Sequence, residues 1–231
     1  MKPKKFEVVP LGELIEGTPR NGYSPVCPEL PTGKWVLGLS ALDGRGLDLS
    51  GVKPAPVNDQ LVDRFMLRPG DFLISRSNTF DKVGRVGVFR GGLENCSYPD
   101  LMMRFRPDCG KVDPRYLETY LKSDAAITFI RQHATGTSGS MKKINQATVE
   151  SIPVVVPSIE EQATIAAVLV EWYAAIEKTE QLIAAKEQHY SHELSRLISQ
   201  GRHPHDHVSA FAEEVSERNR GGNEARVLSV T

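Results

Sequence analysis

The feature that most constrains this chain is a long stretch without glycine or proline between Ser158 and Gln200. Ser158 is followed three residues later by Glu161, which makes a capping box in which each side chain satisfies a free backbone N–H at a helix start. Pro157 before the cap and Gly201 after the stretch are typical start and stop signals. The sequence therefore predicts one uninterrupted helix, roughly 60 Å long at about 1.5 Å per residue.

Apolar side chains in this predicted helix recur with the alternating spacing of four and three that a coiled coil requires. The seam is interrupted at Lys186 and then resumes slightly rotated. Its positions are Ile165, Leu169, Trp172, Ile176, Thr179, Ile183, Tyr190, Leu194 and Leu197. We expect the helix to pair with another helix, as a dimerisation or spacer element. The alternative is a long helix folded back on its own domain, but its length exceeds the usual range of about 8–20 residues.

Length and composition indicate a globular protein. The chain has 231 residues, of which 40% are hydrophobic and 25% charged, so it has room for one or two domains with a sizeable core. No apolar run reaches ~18 residues and no signal peptide opens the chain, so we expect a cytoplasmic protein with no membrane partner. The three cysteines show no CxxC spacing, which argues against a disulfide framework and against a zinc site.

The charge is unevenly divided along the chain. Residues 1–150 contain 21 Lys and Arg against 17 Asp and Glu, whereas residues 151–231 contain 7 against 12. The first part therefore carries a balance of +4 and the second part a balance of −5. This division favours backbone-contacting cationic groups on the first part only, although the signal is weak by itself.

Turn signals divide the first part into short predicted strands. After the Pro-Gly turn at 69–70, apolar runs occupy residues 72–76, 83–89 and 101–106, and a further run at 152–156 precedes the capping box. Alternation along the first three runs predicts a twisted, mostly antiparallel sheet with one basic face formed by Arg85, Arg104 and Arg106. Two further elements are predicted, a strand at 35–40 and a helix at 115–132.

The expected fold class is α+β, with three segments: a globular domain over 1–157, the long helix over 158–200, and a tail over 201–231. The tail echoes the start of the chain, because 211–222 and 227–231 are similar to 11–22 and 36–40. We interpret it as the partial start of a second domain copy, with chance similarity as the alternative. About 30 residues cannot form a core, so we expect this tail to be poorly ordered or docked on a partner.

Several of these motifs, taken in order, resemble the specificity (S) subunits of type I restriction–modification systems. They are the glycine and hydroxyl loop at 135–143, the apolar strand at 152–157, and the Glu-Glu-Gln run at 160–162 that opens the long helix. Residues 70–76 (GDFLISR) are similar to a strand motif of the same family. The likeness covers roughly residues 8–200. The family usually carries two recognition domains and two helices per chain, whereas this sequence has one full set and the apparent start of a second.

The resemblance implies a target-recognition domain that reads double-stranded DNA. Arginine can make two hydrogen bonds to the edge of a guanine, and asparagine can make two to the edge of an adenine. Lysines beside a glycine loop are suited to phosphate contacts. The candidate DNA-binding residues are Arg76, Ser77, Asn78, Lys82, Arg85, Ser138, Ser140, Lys142 and Lys143. For each of them the alternative is an ordinary solvated or structural residue.

The resemblance also implies a chain that is not an enzyme. Methylation would come from a methyltransferase (M) subunit carrying S-adenosylmethionine, and cleavage from a restriction (R) subunit. We expect no cofactor or metal on this chain, and interpret the histidine cluster at 203–207 as solvated. Two copies, or this chain and another S subunit, would pair through the long helix to read a bipartite site. The alternative is a truncated fragment that acts as an assembly module without DNA specificity.

Overall fold

The computed structural model describes residues 6–136 and 141–200 of the chain. The predicted repeat at 201–231 and the histidine cluster within it lie outside the described residues. By its internal contacts the chain divides into two units, Met1–Ala175 and Ile176–Thr231.

The described elements are short, apart from the last helix. In chain order they are β1 (Glu7–Pro10), β2 (Arg20–Asn21), β3 (Trp35–Val36), β4 (Lys53–Pro54), α1 (Gln60–Arg64), β5 (Asp71–Ser75), β6 (Ser77–Asn78), β7 (Val86–Phe89), β8 (Cys96–Ser97), β9 (Met102–Phe105), α2 (Pro114–Leu121), α3 (Asp124–His133), β10 (Lys142–Lys143), α4 (Gln146–Glu150), β11 (Pro153–Val156) and α5 (Ile159–Gln200). This mixture of helices and strands, ending in a long helix, confirms the predicted α+β class.

A four-stranded sheet with the order β2-β9-β5-β7 forms the centre of the first unit, and all its neighbouring strands are antiparallel. A second sheet places β3 between antiparallel β4 and parallel β8. The prediction of a mostly antiparallel sheet is therefore confirmed. The turn before β5 contains Gly70 at a φ of +91°, a backbone conformation that residues other than glycine rarely adopt.

The prediction of one basic face on the sheet is wrong, because apolar clusters cover both faces of β5. Phe72 and Ile74 belong to one buried cluster, and Leu73 belongs to the other. Among the three arginines assigned to that face, Arg104 donates to the backbone of Met66 and Arg85 to that of Leu42, while Arg106 pairs with Asp71. The alternation of residue types correctly predicted which side chains point to opposite faces of the sheet. It could not predict which other elements pack on each face.

Two other elements differ from their predictions. The helix expected at 115–132 is broken into α2 and α3, because Ser123 adopts an extended backbone and accepts a hydrogen bond from the Ala126 N–H as a new N-cap. The strand expected at 35–40 ends at Val36 and is followed by a 3₁₀ turn at Leu39–Ala41. Neither the break in the helix nor the early end of the strand changes the spacing of hydrophobic residues, so that spacing could not predict them.

The three cysteines, Cys27, Cys96 and Cys109, are free thiols. Burial raises the pKa of Cys96 to about 12, so this thiol remains protonated and unreactive at neutral pH.

The first strand of the globular unit pairs with its last strand. β1 and β11 are antiparallel with Val8 opposite Val155, and α2 lies against β11. The hydroxyls of Tyr116 and Tyr120 donate to the carbonyls of Val155 and Pro153, at 2.7 and 3.0 Å. Burial raises the pKa of Tyr116 to about 12, so its hydroxyl stays a donor throughout the working pH range.

The capping box at the start of α5 is confirmed. The Ser158 N–H donates to the Glu161 carboxylate at 3.1 Å, and the Glu161 N–H donates to the Ser158 hydroxyl at 3.4 Å. Next to it Gln162 is fully buried. Its amide accepts a bond from the Asp113 N–H at 2.8 Å and donates to the Pro157 carbonyl at 2.9 Å. This side chain joins the first turn of α5 to the start of α2 and to the end of β11.

Replacing Gln162 with leucine should lower the free energy of unfolding by about 2–6 kcal/mol. The substitution keeps the volume but leaves the Asp113 N–H and the Pro157 carbonyl buried without partners, at a cost of about 1–3 kcal/mol each. Urea titration followed by circular dichroism measures the loss. As a control, leucine at the exposed Gln132 of α3 should change stability by less than about 0.5 kcal/mol. Equal effects at the two positions would contradict the assigned role.

Candidate nucleic-acid interface

A short strand pair brings together two groups of candidate residues that lie far apart in sequence. β6 and β10 are antiparallel, with Asn78 opposite Lys142 and Ser77 opposite Lys143. The Ile144 N–H donates to the Arg76 carbonyl at 2.9 Å and extends this pairing by one residue. The pairing therefore sets Lys142 beside Asn78 on one face of this two-stranded pair, and Lys143 with Ser77 on the other face.

The backbone around the two lysines is closely constrained. Thr135 and Lys143 exchange two backbone hydrogen bonds of 2.9 Å, and the Lys142 ammonium donates to the Gly136 carbonyl at 2.7 Å. Gly136 has a φ of +126°, and a β-carbon there would lie 2.4 Å from the Met141 carbonyl oxygen. Only glycine fits this position. The backbone bonds between Thr135 and Lys143 and the bond to the Gly136 carbonyl together hold Lys142 in a defined place.

The side chains of Arg76 and Asn78 are half-buried and partly occupied. Arg76 donates one guanidinium bond to the Asp100 carbonyl at 3.4 Å. The Asn78 amide oxygen accepts from the Thr79 N–H at 2.9 Å, and its nitrogen donates to the Ser75 hydroxyl at 3.4 Å. Each side chain is thereby oriented and keeps further N–H groups that can bond a base edge or a phosphate.

Ser77 and Arg85 occupy different environments from those two residues. Ser77 is only 2% exposed, and its hydroxyl donates to the Met141 sulfur at 3.1 Å, so it supports the strand pair from within. The Arg85 side chain donates to the Leu42 carbonyl at 3.5 Å and lies beside Gly44, while its backbone carbonyl accepts from the Ser75 N–H, two residues before β6. Ser138 and Ser140 lie outside the described residues.

The loop after β6 carries charges of both signs. Lys82 is exposed, and its ammonium bonds to no other part of the described chain. The Thr79 hydroxyl donates to Asp81 at 2.6 Å and lowers the pKa of that carboxyl, so Asp81 stays ionised. This negative charge offsets part of the loop's positive charge. The loop is therefore better suited to local contacts than to long-range attraction of an anion.

Sequence reasoning missed two exposed apolar side chains beside the cationic groups. Phe80 and Met141 are 49% and 47% exposed. The Arg131 guanidinium lies over the Phe80 ring, 5.5 Å from its centroid, and donates to the Asp81 carbonyl at 3.0 Å. The available signal was an aromatic residue inside a polar loop, but its partner lies on α3, 50 positions further along from Asp81.

Some classes of site are not represented in the described part of the chain. Residues 6–136 and 141–200 contain no group of three or more histidine, cysteine or acidic side chains that could hold a metal ion. Among the same residues, no helix is both long enough and apolar enough to cross a membrane.

Comparison with protein families identifies one match. The family model described as the type I restriction modification DNA specificity domain matches residues 59–187, which is more than half of the chain. The match includes β6, the loop that follows it, β10 and the first part of α5.

Two curated proteins illustrate the similarity. The chain is 22% identical over 219 residues to the putative type I restriction enzyme MjaX specificity subunit of Methanocaldococcus jannaschii, covering 93% of this chain and 50% of that protein. It is 28% identical over 148 residues to the type I restriction enzyme EcoKI specificity subunit of Escherichia coli, covering 63% and 32% respectively. The chain thus spans about half the length of the curated relatives it matches, or less.

Solved structures show the same fold. The HsdS subunit from Thermoanaerobacter tengcongensis matches with a TM-score of 0.57 at 16% identity, over 88% of this chain and 52% of that one. The S subunit of a type I restriction-modification system from M. genitalium matches with a TM-score of 0.55 at 16% identity, over 87% and 48%.

Replacing Lys142 and Lys143 together with alanine should weaken binding to duplex DNA by a similar factor for every sequence. If both ammonium groups contact phosphates, the slope of log K against log salt should become shallower by about 1.8, since each contact contributes about 0.9. Fluorescence anisotropy at several salt concentrations measures both effects. Alanine at the exposed Lys53 of β4 is the matched control. A slope that stays the same in the double variant would exclude phosphate contacts at this pair.

Proposed function

The chain belongs to the type I restriction modification DNA specificity family, and from this premise we propose that it recognises a DNA sequence for a partner methyltransferase. One observation carries the proposal, the pairing of β6 with β10. It sets Asn78 beside Lys142 on one face and Lys143 on the other, with Arg76 just before β6 and the exposed Phe80 and Met141 in the adjoining chain segments. Cationic, amide and apolar groups in one place are the groups that contact phosphates, base edges and sugars.

We assign different roles to the members of this surface. Arg76 and Asn78 are held by backbone and hydroxyl partners, so their orientation is set before DNA arrives, which suits base reading. Lys142, Lys143 and Lys82 present ammonium groups, which suit sequence-independent phosphate contacts. Ser77 supports the strand pair, and Arg85 contributes from a separate part of the recognition domain. Ser138 and Ser140 complete the proposed set.

The chemistry then belongs to other subunits. We propose that this chain brings an M subunit, which carries S-adenosylmethionine, to an adenine in the target, and that an R subunit joins the same complex to cleave unmodified DNA. The recognition domain comprises residues 1–157, the pairing element is the segment 158–200 that contains α5, and the tail over 201–231 belongs to a partial repeat.

The apolar seam of α5 supports pairing with a second helix. Seven of its eight hydrophobic positions are exposed, from 37% at Ile165 to 68% at Tyr190, while Leu169 is half-buried. The others are Trp172, Ile176, Ile183, Leu194 and Leu197. A second copy of this chain would cover the seam through a two-fold axis, and two recognition domains related in this way would read a bipartite, palindromic site.

Co-expression of the chain with a type I methyltransferase subunit, and with no other specificity subunit, should produce N6-methyladenine in a symmetric two-part motif. Methylome sequencing of the host DNA identifies the motif. An asymmetric motif would point to pairing with a different S subunit. A complex that co-purifies but methylates no defined sequence would contradict DNA recognition and favour the role of an assembly module. Alanine at Asn78 should change the motif or abolish methylation, whereas alanine at Lys53 should leave both unchanged.

Glutamate at both Ile176 and Ile183 should convert a dimer into monomers, because each substitution places an unpaired charge in an apolar seam. The expected cost is about 3 kcal/mol, or roughly a hundredfold increase in the dimer Kd. Light scattering over a concentration series measures it. Glutamate at Ala174 and Gln181 adds the same charge about 160° away around the helix axis and should leave the dimer intact. A wild-type chain that remains monomeric at micromolar concentration would contradict self-pairing.

A further inference from the structure

An arginine-lined cleft of about 350 Å³ lies away from the β6–β10 pair. It is formed by β2, the region of α1, and adjacent ends of β5 and β9. Five guanidinium groups line it, those of Arg20, Arg64, Arg68, Arg104 and Arg106, and no lysine does. Nothing in the proposed DNA contacts uses these residues.

A buried carboxylate fixes two of the five arginines. Asp71 is completely buried, and it accepts a 2.6 Å bond from Arg106 Nε and a 2.7 Å bond from the Arg68 backbone N–H. Arg104 Nη1 lies 3.6 Å from the same carboxylate and donates to the Met66 carbonyl at 3.0 Å. The Arg104 guanidinium also lies 5.4 Å from the centroid of the Tyr98 ring. Asp71 is thus fully used in holding the cleft wall.

The remaining donors of the cleft have no partner in the described chain. Arg106 Nη2 is buried and makes no hydrogen bond. Arg20, Arg64 and Arg68 are exposed, and no hydrogen bond or ion pair joins their side chains to another described residue. Of the three lining carboxylates, Asp71 is already paired and Asp63 forms an ion pair with Lys34, while Glu16 forms no ion pair with these arginines in the described part of the chain. A buried donor without a partner indicates an absent acceptor.

Arginine without lysine favours an oxyanion with two adjacent oxygens, because the guanidinium fork matches a carboxylate or a phosphate with two parallel bonds. Two features favour a protein carboxylate over a DNA phosphate. Glu16 and Asp63 line the cleft as well, and they would repel the long, dense charge of a duplex more than the few carboxylates of a short protein segment. Asp71 and Arg76 also lie at opposite ends of β5, roughly 17 Å apart at about 3.4 Å per residue, which separates the cleft from the proposed DNA surface.

We propose that this arginine cleft binds an acidic segment of the partner methyltransferase, with a carboxylate of that segment bonded by Arg106 Nη2 and by the free guanidinium groups of Arg64 and Arg68. The inference rests on the proposed function, since it names the contact by which the M subunit is held. The cleft fixes Arg104 and Arg106 through Asp71 before the partner arrives, which reduces the ordering that binding requires.

The test measures two affinities for each variant of the full chain. Glutamate at Arg64 or at Arg68 should raise the Kd for the isolated methyltransferase, without DNA, by about tenfold each. The Kd of the chain alone for duplex DNA should change less than twofold. Lys53→Glu reverses one exposed charge elsewhere in the same unit and should change neither value. Arg64→Gln and Arg68→Gln should act in the same direction with smaller effects, and they replace the glutamate variants if those fail to fold.

A peptide of six glutamates provides a direct probe. It should displace the wild-type chain from the methyltransferase at lower concentration than inorganic phosphate does, and it should lose this advantage in the Arg68→Glu variant. Weakened DNA binding with an intact methyltransferase complex would identify a DNA phosphate site and overturn the inference. Unchanged values for both partners would overturn it as well. A wild-type chain that binds no methyltransferase would overturn the proposed function, and the inference would fall with it.

Discussion

The arrangement of the globular unit depends on one buried amide, that of Gln162. It bonds a backbone donor at the start of α2 and a backbone acceptor at the end of β11, while its own backbone belongs to the first turn of α5. Burying an amide is favourable only if both its donor and its acceptor are satisfied, so the three segments must meet at one point with defined distances. The start of α5, the proposed pairing helix, is thereby fixed to the unit that carries the proposed DNA surface.

The central strand β5 forms the rigid centre of the globular unit. Its five residues are all buried, and apolar clusters pack on both sides of it. The polar chemistry therefore lies at the two ends, with Asp71 and the arginine cleft at one and Arg76 with the β6–β10 pair at the other. A strand packed in this way cannot move its ends independently. The two proposed binding surfaces consequently keep a constant separation, whichever partner arrives first.

Sequence reasoning succeeded where a single local pattern determines the outcome. The capping box of Ser158 and Glu161, the uninterrupted α5 and the strand after Gly70 all follow from a few neighbouring residues. It failed where distant partners decide. The β6–β10 pair has two residues per strand and no periodicity of its own, so only the tertiary structure unites its two groups of candidate residues. Arg104 and Arg106 read as a basic face because alternation cannot show that Asp71 lies between them. Ser123 ended a helix that apolar spacing alone would have continued.

The antiparallel pairing of β1 with β11 has a consequence for how specificity can change. The unit's first and last strands, β1 and β11, lie side by side and form a two-stranded stem. The chain between residues 11 and 152 is therefore an insert that leaves and re-enters the fold at this stem. A different loop set, or a whole unit of different sequence, could replace that insert while the stem and the Gln162 junction stayed the same. Under the proposed function, the stem would be a connector at which recombination exchanges the inserted unit, and with it the proposed target preference, without changing the proposed pairing helix.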